Sequence, residues 1–102
     1  MDFAVIWEFR VRIGMEEAFE AAYGAEGDWV RLFRKSPEYV RTELIRDVKD
    51  RGRYLTIDVW RSGAAYESFR ESYREEYKKI DAVCEAMTEA EREIGRFAGV
   101  GG

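Results

Sequence analysis

The stretch Tyr39-Val-Arg-Thr-Glu-Leu-Ile-Arg-Asp-Val-Lys-Asp-Arg-Gly-Arg-Tyr-Leu-Thr-Ile-Asp-Val-Trp60 decides the fold. In its first half Val40, Thr42 and Leu44 alternate with Arg41, Glu43 and Ile45. In its second half Leu55, Ile57 and Val59 alternate with Tyr54, Thr56, Asp58 and Trp60. A period of two, in residues rich in β-branched and aromatic types, marks strands over Tyr39–Asp47 and Arg53–Trp60. Asp50-Arg51-Gly52 between them is turn chemistry: an aspartate can bond the backbone two residues on, and glycine adopts angles other residues avoid. So short a connection makes the pair an antiparallel hairpin.

Upstream, Phe3 to Ile13 alternates in the same way, with Phe3, Val5, Trp7, Phe9 and Val11 on one parity and Ile6, Glu8, Arg10 and Arg12 on the other. Gly14 ends this first strand. Met15, Ala18, Phe19, Ala22 and Tyr23 then recur at helical spacing until Gly24 and Gly27. Asp28 is placed to cap a short helix over Trp29–Lys35, which Pro37 stops. Downstream of the hairpin, Ser62 is positioned to cap one long helix whose stripe runs Tyr66, Phe69, Tyr73, Tyr77, Ile80, Cys84 and Met87. Thr88 and Glu91 have capping-box spacing, which predicts a new helical turn. Ile94–Val100 reads as a short fourth strand.

The order β-α-β-β-α-β is that of a split βαβ, ferredoxin-like α+β domain spanning residues 1–102, with both helical regions on one face of an antiparallel sheet. The other face is left bare, yet apolar residues occupy both parities: Val5, Trp7, Phe9, Leu55, Ile57 and Val59 on one, Ile6, Ile45, Tyr54 and Trp60 on the other. A bare four-stranded face of that kind exceeds the apolar patch monomers usually expose. Covering about 600–800 Å² per subunit corresponds to about 15–20 kcal/mol gross. The expected partner is a second copy, sheet against sheet.

Composition removes several classes of function. The net charge of −4 argues against a nucleic-acid surface. No apolar run is long enough to span a membrane and no signal-like stretch opens the sequence, so a cytoplasmic protein is expected. The one cysteine, Cys84, admits neither an internal disulfide nor a multi-cysteine metal site, and it falls on a helix's apolar side. Histidine, asparagine and glutamine are absent throughout. There is therefore no imidazole base and no His-ligated haem or zinc, and acid–base work falls to Asp, Glu, Tyr, Lys or Arg. No cofactor and no metal are expected.

Val5-Ile-Trp-Glu-Phe9, Phe19-Glu-Ala-Ala-Tyr23, Tyr39 with Thr42-Glu-Leu44, and above all Tyr54-Leu-Thr-Ile-Asp-Val-Trp-Arg-Ser62 followed by Ala65-Tyr66 and Phe69 resemble the antibiotic biosynthesis monooxygenase family of dimeric α+β barrel proteins. The resemblance covers nearly the whole chain and implies a homodimeric barrel. Some of that family oxidise polyphenols with oxygen and no cofactor, some degrade haem, and some isomerise quinol-like lactones. Trp60 falls where many of its members keep a tryptophan near the pocket. The haem-degrading branch adds an asparagine and a histidine that this sequence lacks.

The residues also suggest a site of their own. Glu8, Arg10, Arg41, Glu43, Tyr54, Asp58 and Trp60 share one strand parity, and if that face meets the long helix, Tyr66, Phe69 and Tyr73 lie opposite. Such an aromatic slot fits a flat phenol or quinol. Asp58 is then the candidate base, with Trp60 and Arg10 as its catalytic partners. Glu8, Arg41, Tyr54, Tyr66, Phe69 and Tyr73 are candidate ligand contacts. The expected activity is a cofactor-independent monooxygenase-like reaction on a small aromatic molecule. The alternative is a ligand-binding or structural homodimer, in which the Glu and Arg residues are cross-strand ion pairs and the aromatic residues are core.

Overall fold

The computed structural model describes residues 2–101. Strand β1 (Phe3–Val11) leads into helices α1 (Glu16–Tyr23) and α2 (Asp28–Phe33). The hairpin β2 (Tyr39–Arg46) and β3 (Arg53–Trp60) follows, then α3 (Gly63–Ser72), α4 (Arg74–Cys84), a 3-10 turn (Glu85–Met87) and β4 (Thr88–Ala98). The sheet order is β2-β3-β1-β4 and every pairing is antiparallel, as a split βαβ arrangement requires.

Register determines which side chains share a face. Phe3 lies opposite Trp60, Val5 opposite Asp58, Trp7 opposite Thr56 and Phe9 opposite Tyr54, while Thr42 lies opposite Asp58 on the other side of β3. These residues look inward, toward the helices. Ile6, Glu8 and Arg10 pair with Ile57, Leu55 and Arg53 and look outward, as do Arg41, Glu43 and Ile45. The expected grouping across strands is therefore corrected. Tyr54, Asp58 and Trp60 share the inner face with Val5, Trp7 and Phe9, whereas Leu55, Ile57 and Val59 belong with Ile6 outside. Alternation sorts residues within one strand, but only pairing relates one strand's parity to another's.

The core is aromatic. Phe19 is fully buried, with Tyr23 stacked on it at 4.2 Å between ring centroids, Tyr54 at 4.9 Å and Phe9 at 5.2 Å. A tight α1–α2 corner brings these helices together. A side chain at Gly27 would meet the Ala22 carbonyl oxygen at 2.3 Å, so only glycine fits.

Three local expectations are corrected. Gly27, not Asp28, is the cap position of α2; Asp28 is the first helical residue and its carboxylate engages Arg31. The long helix is two helices bent at Tyr73 (φ −115°, ψ 29°). Backbone bonds from Tyr73 to Phe69 and from Tyr77 to Tyr73 persist through the bend, so the aromatic stripe is redirected and not interrupted. Thr88 opens β4 instead of a helical turn, and it is buried opposite Val11. Ser62 does cap α3, its Oγ accepting from the Ala65 amide at 3.0 Å.

Candidate functional site

β4 pairs along β1 and is only lightly covered by helices, which leaves space between its inner face and α3–α4. That space is a cavity of about 390 Å³, within the size range of small-molecule sites. Trp7 and Phe9 of β1, Thr42 of β2, and Thr56 and Asp58 of β3 line the sheet side. Tyr23, Trp29, Phe33, Tyr66, Arg70, Tyr77 and Asp81 line the helical side, and Glu91, Glu93 and Arg96 of β4 complete the wall.

Asp58 lies on the sheet floor between β1 and β2. Its Oδ1 accepts a hydrogen bond from Thr42 Oγ1 at 2.7 Å, and the Tyr39 hydroxyl donates in turn to Thr42 Oγ1 at 2.7 Å. Among the described residues no cation forms an ion pair with Asp58. Burial pushes its carboxyl up to about 6 from the ordinary 3.8, and the bond from Thr42 pulls back against that rise. Such a carboxylate is mostly ionised at neutral pH and is a stronger base than an exposed aspartate. Two cations line the cavity, Arg70 from α3 and Arg96 from β4. Arg70 Nη1 donates to the Tyr66 hydroxyl at 3.2 Å, and its guanidinium lies 4.5 Å from the Tyr77 ring centroid. Arg96 lies 5.3 Å from the Tyr66 centroid and bonds Glu67 at 2.6 Å. Burial raises the phenols of Tyr23, Tyr66 and Tyr77, which keeps them protonated hydrogen-bond donors.

Of the nine candidates, Asp58 and Tyr66 line the cavity. Trp60 is fully buried one layer behind it, against Phe69 at 4.9 Å, Tyr39 at 5.3 Å, Phe33 at 5.4 Å and Tyr66 at 5.5 Å. Phe69 is core. Tyr73 packs on Phe69 at 5.2 Å, outside the lining, and Tyr54 donates its hydroxyl to Glu20 at 2.5 Å, away from the cavity. Glu8, Arg10 and Arg41 are corrected outright: they sit on the opposite face of the sheet. Glu8 bonds Arg53 at 2.5 Å and Arg92 at 2.8 Å, Arg10 bonds Asp50 at 2.5 Å, and Arg41 lies 3.8 Å from Glu43. Arg70, Arg96, Trp7 and Trp29 take the places those residues were expected to fill. The spacing Tyr66–Arg70 (i, i+4) was the available signal for Arg70. Nothing short of the β1–β4 register could have found Arg96.

A split βαβ sheet with helices on one side and an aromatic-walled, ligand-sized cavity between them defines a class of small α+β proteins. Within that class the chain belongs to the antibiotic biosynthesis monooxygenase family, whose profile matches residues 2–83. Among curated proteins none matches it. Its fold is similar to that of SnoaB from Streptomyces nogalater, a cofactor-independent oxygenase, with 19% identity, a TM-score of 0.80, and coverage of 99% of this chain and 95% of that one. A mutant of SnoaB aligns at 20% identity and a TM-score of 0.76, covering 96% and 92% of the two chains. PA3566 from Pseudomonas aeruginosa aligns at 18% identity and a TM-score of 0.71, covering 98% and 95%. At these identities the solved structures speak for the fold alone.

Proposed function

We propose that the protein is an oxygenase of the cofactor-independent kind, acting on a flat phenol or quinol in the cavity beside Asp58. One observation carries this reading: a carboxylate with no cationic partner among the described residues, its acid form favoured by burial, on the floor of an aromatic-walled cavity. Asp58 takes the phenolic proton, and the phenolate that results delivers electron density to a hydrogen-bearing ring carbon opposite or beside the oxygen. Arg70 and the Tyr66 hydroxyl stabilise the negative charge. Dioxygen adds at that carbon. One oxygen atom stays as the new quinone carbonyl and the other leaves as water, carrying the two displaced hydrogens, with the substrate as the only reductant. Trp60 acts by fixing the wall formed by Phe33, Tyr66 and Phe69, not by touching the ligand.

The working unit under this proposal is a homodimer joined through the outer sheet face. Ile45 and Phe97 are 47% and 49% exposed there, beside the half-buried Ile6, Leu55 and Ile57. Oxygen uptake with a panel of naphthols, anthrones and hydroquinones tests the reaction. Consumption that disappears in Asp58→Asn supports it, and tight binding without oxygen uptake leaves a ligand-binding protein instead.

A further inference from the structure

We propose that Tyr39 is a positioning residue for the Asp58 carboxyl: acting through Thr42, it keeps Oδ1 occupied and leaves Oδ2 as the oxygen that takes the ligand's proton. This deepens the reading of Asp58 as the base of the site and rests on it.

Strand β2 carries one extra residue near its start. Tyr39 lies opposite Trp60 and Thr42 opposite Asp58, so three steps along β2 match two along β3, with the shift of register between Tyr39 and Arg41. On a regular strand, side chains three residues apart point to opposite faces. The bulge removes that opposition and brings Tyr39 and Thr42 to the same inner side, where the Tyr39 hydroxyl donates to Thr42 Oγ1 at 2.7 Å. Bulges re-aim side chains in this way and are over-represented beside active sites. The Tyr39 ring is then fixed against Trp60 at 5.3 Å and Phe33 at 5.5 Å, outside the cavity lining. Tyr39 therefore reaches the cavity only by way of Thr42.

The hydroxyl of Thr42 has one hydrogen to give and two lone pairs. It accepts from Tyr39 and donates to Asp58 Oδ1, again at 2.7 Å. With Tyr39 on a lone pair, the Thr42 hydrogen is directed at Asp58, and two hydrogen bonds in series strengthen each other. The bond from Thr42 is the one contact that opposes the rise burial gives the carboxyl. The other ionisable groups of the cavity are Tyr23 of α1, Tyr66 and Arg70 of α3, Tyr77 and Asp81 of α4, and Glu91, Glu93 and Arg96 of β4. None of them bonds Asp58, and all stay in place when Tyr39 or Thr42 is changed, so their influence cancels between variants.

Carbon-detected NMR of the Asp58 carboxyl in the whole protein tests this in wild type, Tyr39→Phe, Thr42→Val and the double variant. Phenylalanine keeps the ring against Trp60 and Phe33 and removes the hydroxyl alone. Tyr39→Phe is expected to raise the proton affinity of Asp58 about twofold, and Thr42→Val about tenfold. In the Thr42→Val background the change at Tyr39 adds nothing, because its effect passes through Thr42. A midpoint that Tyr39→Phe leaves in place or lowers, or a shift that persists in full without Thr42, overturns the proposal. Oxygen uptake with naphthols supplies the second readout: the midpoint of kcat/KM against pH moves with the carboxyl midpoint in Tyr39→Phe. A profile that stays put while the carboxyl moves shows that Asp58 does not take the ligand's proton. The expected NMR shifts without any oxygen uptake uphold the positioning of Asp58 and remove the oxygenase reading instead.

Discussion

Replacing Asp58 by asparagine is expected to stabilise the protein at neutral pH and to leave its stability unchanged in acid. Thr42 can still donate to the asparagine oxygen, so the 2.7 Å hydrogen bond is retained while the charge is removed. In the unfolded chain the aspartate loses its proton near the ordinary 3.8, but in the folded chain it holds the proton until about 6. Below pH 3.8 both states are protonated and the charge contributes nothing. Between these values the folded form binds more protons than the unfolded form, so its stability falls as pH rises. Above about 6 the loss is complete. The gap between 3.8 and about 6 corresponds to an upper limit of about 3 kcal/mol. Asp58 is partly open to the cavity's solvent, which reduces the realised difference to about 1–2 kcal/mol. Urea unfolding of wild type and Asp58→Asn at pH 3.5 and 7.5 measures it. Effects of all other titrating groups cancel in the difference between the two proteins. A variant that is less stable than wild type at pH 7.5, or a difference that does not change with pH, refutes the picture of an unpaired buried carboxylate.

Thr42→Val removes the one hydrogen bond that favours the charged form, so the Asp58 carboxyl is expected to titrate higher still in carbon-detected NMR; an unchanged or lower midpoint contradicts the assigned contact. Trp60→Ala empties a fully buried site between four aromatic rings and is expected to cost about 3–5 kcal/mol in chemical denaturation, and a loss below about 1 kcal/mol would place Trp60 outside the core. Ile57→Glu puts a charge in the middle of the outer sheet face. By sedimentation it should convert a dimer into a monomer without changing ligand affinity in the cavity, and a wild type that is itself monomeric at micromolar concentration removes the basis for that interface.

The hairpin was legible because each of its signals is local: alternation in Tyr39–Asp47 and Arg53–Trp60, with turn residues between. The site was legible only in part, because it depends on relations between strands. Asp58 and Tyr66 stand in the cavity as read. Glu8 and Arg10 do not, since the inner parity of β1 is the one that carries Phe3, Val5 and Trp7. An arginine near the candidate base in a list of residues was on the far side of the sheet in space. β4 was misread from Thr88 onward for a related reason. Thr88-Glu-Ala-Glu-Arg-Glu has no apolar alternation, and its spacing imitates a helix cap. Its extended form comes from pairing with β1 along nearly its whole length, with shifts of register beside Ile6 and Arg10. Here tertiary pairing outweighs local preference.

The carboxylates of the outer side and Asp58 on the inner face sit in opposite electrostatic settings, and this contrast is the strongest reason to regard the inner face as functional. Outside, Glu8 is held by Arg53 and Arg92, Asp47 by the Lys49 amide and Arg53, and Asp50 by Arg10, and these hydrogen bonds keep all three carboxyls below their ordinary range. Inside, burial raises the carboxyl of Asp58, and among the described residues no cation lies within bonding distance of it. A fold that needed only stability gains nothing from a desolvated, uncompensated carboxylate under aromatic walls, since a threonine or leucine in place of Asp58 would remove the desolvation cost. Seventeen basic residues are available in the chain, so the lack of a partner is not a shortage of cations. The cost is concentrated around one cavity and is absent from the opposite side of the same strands. That localisation is what a binding site with its own charge requirements produces, and it is why Asp58 is the first residue to test.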